Sequence, residues 1–126
     1  MLTGDKIETA KCIAISTGMN TKAESVHEIR GELLNYSTQE LNQSIGDYTK
    51  TDREKTMLMI DGQALTKIMA DERLKQRFFE AASDAKSVCV CRCSPKQKAQ
   101  VARCVKFYTN KRIACIGDGG NDVAMI

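Results

Sequence analysis

The chain has 126 residues, 42% of them hydrophobic and 28% charged, with a formal net charge of +3. That is enough for one small domain with a real core, and the slight positive charge, scattered along the sequence, argues against a nucleic-acid partner. No apolar run approaches a membrane span and no signal peptide opens the chain, so it reads as a soluble piece, whatever it is attached to.

Met1-Leu2 reads as the end of a strand, followed by a helix from about Lys6 to Thr17. Asp5 as N-cap with Glu8 three residues on gives that helix a capping-box-like start, Ile7, Ala10 and Ala14 supply its apolar stripe, and Gly18 stops it. The stretch from Asn20 to Thr56 is polar and charged and reads as a variable, solvated surface segment, with a short strand over Val26–Arg30 and a short helix over Thr38–Ile45. Met57 to Ile60 is a buried strand closed by Asp61-Gly62. Helices follow over Gln63–Ala70 and Glu72–Ser83, the second with Leu74, Phe78 and Ala82 on one face. A strand over Ser87–Cys93 comes next, then a helix with Ser94 as N-cap, Pro95 at its first position and Gln97 completing the box, running to about Tyr108. Arg112 to Ile116 is predicted to be another buried strand, and a last helix begins near Asn121. Alternation of strands and helices predicts an α/β fold: a parallel, Rossmann-like sheet with helices on both faces.

Three of the six cysteines, Cys89, Cys91 and Cys93, alternate along the third strand and are therefore expected on one face. Neighbours on one strand do not suit a structural zinc site, which uses a Cys-x-x-Cys turn. They read as reduced core residues.

In open parallel sheets ligands bind beyond the carboxyl ends of the strands. Three polar clusters fall there: Thr3-Gly4-Asp5, the stretch from Arg92 to Lys98, and Gly117-Asp118-Gly119-Gly120-Asn121-Asp122. Alone, the first reads as a turn and N-cap, while the last, with a strand before it and a helix after it, reads as a functional loop rather than a merely glycine-rich one. Together they bring a hydroxyl, bare glycine backbone, a lysine and carboxylates to one crevice, an inventory that suits phosphoryl transfer, which rests on positioning and electrostatic stabilisation. Lys98 supplies a compact positive charge, and Asp118 is a hard oxygen ligand of the kind Mg²⁺ prefers, with Asp122 a second or outer-shell partner. Two carboxylates so close together are costly without a cation between them.

Met1 to Ala10, Arg92-Cys93-Ser94-Pro95-Lys96-Gln97-Lys98, and Gly117 to Ile126 resemble three signature segments of P-type ATPases, which belong to the haloacid-dehalogenase-like superfamily. Asp5-Lys6-Ile7-Glu8-Thr9-Ala10 and Arg92-Cys93-Ser94-Pro95-x-Gln97-Lys98-Ala99 resemble the phospholipid-transporting, or flippase, branch in particular. Gly120, where many flippases carry alanine, is similar to an endosomal and Golgi subgroup. The resemblance implies that the chain is the C-terminal part of a phosphorylation domain. Thr3, Gly4 and Asp5 would contact the phosphate and nucleotide, Arg92 would hold the nucleotide, and Lys98 would neutralise the phosphoryl group. Asp118 would coordinate Mg²⁺, while Asn121 and Asp122 would complete the phosphate and metal surroundings. ATP and Mg²⁺ are the implied cofactors. A phospholipid, engaged through a membrane domain elsewhere in the parent, is the implied substrate, with an accessory subunit as a further partner. The parent would be an integral protein of a eukaryotic endomembrane or the plasma membrane, with this domain facing the cytoplasm.

The nucleophile of such enzymes lies in an Asp-Lys-Thr-Gly-Thr segment, and no such segment occurs here. Both ends read as cuts rather than domain boundaries, and without the nucleophilic aspartate the chain alone is expected to be inactive. Loss of a central strand would expose two inner sheet edges and favour dimerisation. Two other readings share the residues: a soluble haloacid-dehalogenase-like phosphatase, against which the lack of an early Asp-x-Asp weighs, and a non-catalytic module that only holds Mg²⁺ or a nucleotide.

Overall fold

A computed structural model describes residues 1–20, 25–31 and 37–126; the parts of the variable-segment reading that fall on residues 21–24 and 32–36 lie outside the described residues. Three strands, β1 (Ser25–Ile29), β2 (Thr56–Asp61) and β3 (Val88–Cys91), form a parallel sheet in the order β1-β2-β3. Leu2 adds a single parallel bridge to Val90 on the far side of β3. The register aligns Met59 with both Glu28 and Cys89, and Ile60 with both Ile29 and Val90.

Every residue of β2 is buried, as expected for a central parallel strand covered on both faces. Its side chains alternate between two cores. Met57 and Met59 pack with Cys89, Cys91 and the apolar stripe Ile7, Ala10 and Ala14 of α1 (Ile7–Ser16). Leu58 and Ile60 pack with Ile29, Val90 and residues of the remaining helices on the opposite face. Those are α2 (Thr38–Thr49), α3 (Gly62–Ala70), α4 (Glu72–Ser83) and α5 (Pro95–Thr109). The α/β architecture with helices on both faces is the one the periodicity predicts.

Several local expectations are corrected. The N-cap of α1 is Lys6, and no side chain caps it. Asp5 is turned instead toward Thr3, whose hydroxyl donates to Asp5 Oδ2 at 2.8 Å. The helix after residue 37 starts at Thr38 as predicted, behind a full capping box of Ser37 and Glu40, but runs on to Thr49, and its apolar residues Leu41, Ile45 and Tyr48 are all buried. A segment read as solvated surface thus also supplies core. Cys93 leaves the company of Cys89 and Cys91: Arg92 has φ 47, and this left-handed residue ends the strand alternation and sends Cys93 into the opposite core.

The predicted strand from Arg112 to Ile116 does not form. Among the described residues these five carry no regular structure; Ile113 is 38% and Ile116 91% exposed. A strand needs a neighbour to take its backbone hydrogen bonds, and Leu2, the outermost sheet residue on this side, is separated from it by a cavity. The last helix is reduced to one 3₁₀ turn at Gly120–Asp122.

Candidate phosphate site

The first loop is held in place by β3. Thr3 N–H donates to Val90 O (2.9 Å), Cys93 N–H to Thr3 O (2.8 Å), and Arg92 N–H to Asp5 O (2.9 Å). The loop therefore continues the sheet edge past its carboxyl end. The Asp5 N–H donates to Thr3 Oγ1 at 3.1 Å, closing a small turn. Nothing lies within 4 Å of where a Cβ would stand on Gly4, so its backbone is open to a ligand.

Lys98 comes from the first turns of α5, whose start is fixed by a full capping box between Ser94 and Gln97 and by Pro95. The Gln97 amide also donates to Gly62 O (2.7 Å) and Thr66 Oγ1 (3.0 Å), tying α5 to the start of α3. Gly62 is required there: a Cβ would sit 2.3 Å from Arg92 O. That contact fixes the backbone where β3 leaves the sheet.

The third loop folds onto Lys98. Asp122 is 7% exposed and Lys98 4%, and the lysine Nζ donates to Asp122 Oδ1 at 2.8 Å. The lysine ammonium, aided by the backbone N–H of Gly119, holds the Asp122 carboxyl below the usual aspartate range, against the opposing effect of burial. Gly117 makes this possible, because a Cβ there would lie 2.3 Å from Asp122 Cβ. Asp118 is exposed beside it. Cys93, near Lys98, is no nucleophile: burial pushes its thiol up to about 11 despite the lysine.

One open cavity of about 1050 Å³ is lined by Thr3, Gly4, Asp5, Lys98, Asp118, Asn121 and Asp122, so seven of the eight sequence-predicted site residues meet there. Arg92 does not. It lines a neighbouring cleft of about 680 Å³ with Gly62, Thr66, Ser94 and Lys96, between the starts of α3 and α5. The cavity has an apolar floor as well, with Leu2 and Val90 on one wall and Ile113 to Ile116 on the other. Sequence reasoning missed two positioning residues, Gly62 and Gln97's reach to α3; the Asp61-Gly62 pair closing a buried strand was the only signal for the first.

A parallel sheet with helices on both faces, and a polar cavity beyond its carboxyl edge, fits the haloacid-dehalogenase-like form of the Rossmann-type fold. Over its full length the chain is similar to a segment of phospholipid-transporting ATPases. It is 41% identical over 126 residues to phospholipid-transporting ATPase NEO1 of Saccharomyces cerevisiae, covering 100% of this chain and 10% of that protein. It is 39% identical over 127 residues to probable phospholipid-transporting ATPase tat-5 of Caenorhabditis elegans, covering 100% of this chain and 11% of that protein. With human probable phospholipid-transporting ATPase IIB the identity is 36% over 126 residues, again all of this chain and 10% of the other. The chain thus spans about a tenth of the length of these curated relatives. No protein-family model matches it. Among the described residues, no helix is long and apolar enough to cross a membrane.

Proposed function

We propose that the chain is the phosphate-handling part of an ATP-driven, phospholipid-transporting P-type ATPase, the C-terminal portion of its phosphorylation domain. The observation that carries this reading is the buried Lys98–Asp122 pair, which closes the same cavity that Thr3 and Asp118 line. A lysine held dry beside a carboxylate, with a hydroxyl and a second carboxylate facing it, suits a group that transfers with charge on its outer oxygens.

In this account the Thr3 hydroxyl turns from Asp5 Oδ2 to donate to the phosphoryl oxygens, and Gly4 donates its open backbone N–H to them. Asp122 orients Lys98, and Lys98 offsets the negative charge that accumulates as the phosphoryl group moves. Asn121 completes the rim, while Asp5 and, from the adjoining cleft, Arg92 hold the nucleotide. Asp122 already accepts from Lys98 and, at 3.4 Å, from Gly119 N–H, whereas Asp118 faces the cavity. Asp118 would therefore hold Mg²⁺ directly, with Asp122 behind it. Mg²⁺ keeps waters and substrate phosphates as its other ligands, so one or two carboxylates are enough to hold it. Bound there, Mg²⁺ would neutralise phosphate charge.

The phosphoryl acceptor is an aspartate on a segment outside this chain. The cavity between Leu2 and Ile113–Ile116, walled by apolar residues and ending at Lys98 and Asp118, supports an extended segment seated there with its carboxyl end at the polar cluster. The parent moves a phospholipid through membrane helices elsewhere, sits in an endomembrane or the plasma membrane with this domain on the cytoplasmic side, and works with an accessory subunit. The test is phosphoenzyme formation in the full-length parent. Lys98→Ala and Asp118→Asn are each expected to lower the acid-stable, hydroxylamine-sensitive label from ATP by about a hundredfold or more; undiminished labelling in both would overturn the assignment.

A further inference from the structure

The cations of the chain are unevenly placed. Between Asp84 and Asp118 there are eight basic residues, Lys86, Arg92, Lys96, Lys98, Arg103, Lys106, Lys111 and Arg112, and no acidic one. Along the sequence they look scattered. The helical period of α5 gathers them: Lys96, Gln100, Arg103 and Phe107 stand at i, i+4, i+7 and i+11 and so share one outward face, with Lys106 in the adjoining row. Lys96, Arg103, Lys106 and Phe107 are all exposed.

None of Lys96, Arg103 or Lys106 makes an ion pair with a described residue. The pairs that form lie elsewhere, between Lys11 and Glu28, Arg30 and Glu8, Arg53 and Asp84, and Lys98 and Asp122. Glu72 on the adjacent α4 is taken by Lys75. The face therefore keeps its full charge toward solvent.

Phe107 sharpens what such a face meets. It is 78% exposed, held edge-on against Tyr108, whose own ring stacks on Phe79. The ring is thus presented outward from a fixed base, next to Arg103 and Lys106. A nucleic-acid duplex offers phosphates but no apolar layer along a helix lying on its backbone. The boundary of an anionic bilayer offers both: phosphates and carboxylates for the cations, and an acyl layer just beneath them for the ring.

We propose that the outer face of α5, from Lys96 to Phe107, is a docking surface for an anionic phospholipid membrane. Lys111 and Arg112, just past the end of the helix, add to the attraction. Lys96 also lines the Arg92 cleft, and Lys111 and Arg112 the large cavity, whereas Arg103, Lys106 and Phe107 line neither, so changes at those three test docking apart from the catalytic reading.

The experiment uses the 126-residue chain and sedimentation with vesicles of phosphatidylcholine alone, or of phosphatidylserine and phosphatidylcholine at about one to three. The expected result is binding to the mixed vesicles only, screened away as salt shortens the Debye length. Each cation near an anionic surface multiplies the partition constant by about five, so the double change Arg103→Glu, Lys106→Glu is expected to weaken binding at least about thirtyfold. The control Lys50→Glu, Lys55→Glu makes the same change in net charge on another face and is expected to stay within about threefold of the unsubstituted chain. Phe107→Ala should weaken binding without changing its salt dependence. Circular dichroism on each variant separates lost docking from lost folding. Equal binding to neutral vesicles, which would report adhesion through Ile113 and Ile116, overturns the proposal. So does an equal loss in the control pair, failure to bind either vesicle, or binding to a duplex oligonucleotide in preference to the mixed vesicles.

Discussion

Lys98 and Asp122 form the one ion pair that is buried on both sides among the described pairs, and the chemistry of the site depends on which of them carries the charge. Because the lysine depresses the folded-state pKa of Asp122, the pair's contribution to stability is fully present above the unfolded aspartate value of about 3.9. It is lost as pH falls through the lower folded value. The expected outcome is that Asp122→Asn destabilises the chain at pH 7 and that the gap between variant and unsubstituted chain narrows as pH falls below the unfolded value and through the lower folded one; urea unfolding at a series of pH values measures it. A gap that stays constant down to pH 2 would mean that the carboxylate's charge contributes nothing. At the same scale, Gly62→Ala drives a methyl into the Arg92 carbonyl, a contact of 2.3 Å from backbone that has little room to retreat. It is expected to cost about 1–3 kcal/mol by the mechanism of overpacking, visible as a lower thermal midpoint.

The elements show where sequence was a sufficient guide and where it failed. Helix α5 was legible in full because its start is written locally: a serine cap, a proline that needs no N–H partner, and a glutamine returning to the cap. Strand β2 was legible because a run of apolar residues bounded by Asp61-Gly62 has few alternatives. Helix α2 was underestimated because its three buried residues, Leu41, Ile45 and Tyr48, are diluted among polar ones, and its burial comes from packing on α3, α4 and β1 rather than from propensity. If α2 belongs to the core, Ile45→Ala should cost about 2–5 kcal/mol in urea unfolding, as deletions in a packed core do; a change under about 0.5 kcal/mol is what a solvated surface helix would give. The Arg112–Ile116 strand failed for the opposite reason. Its apolar run Ile113 to Ile116 is strand-like, but a strand is a property of a pair, and no described residue offers it a ladder. Most of the candidate site was legible because three separate motifs converge on one sheet edge. The placement of Arg92 was not, since a left-handed residue at a strand end changes a side chain's direction without leaving a mark in the sequence pattern.

For the molecule as a whole, the two walls of the large cavity set the expected behaviour. Leu2 and Val90 face Ile113 to Ile116 across a space of about 1050 Å³, and Ile116, Val123 and Ile126 are largely exposed. Apolar surface left open beside an unpaired strand edge favours self-association. Sedimentation equilibrium of the isolated chain is expected to show concentration-dependent dimers, and a strict monomer into the high micromolar range would contradict that expectation. The same cavity decides what the chain does with ATP. Thr3, Lys98 and Asp118 line it, while the proposed acceptor aspartate lies on another segment. The most direct measurement is incubation with labelled ATP and Mg²⁺ followed by an acid quench, on the isolated chain and on the full-length parent side by side. The account predicts acid-stable, hydroxylamine-sensitive label on the parent, loss of nearly all of it in the parent carrying Lys98→Ala, and none on the isolated chain. Such label on the isolated chain, or full labelling of the Lys98→Ala parent, would contradict it.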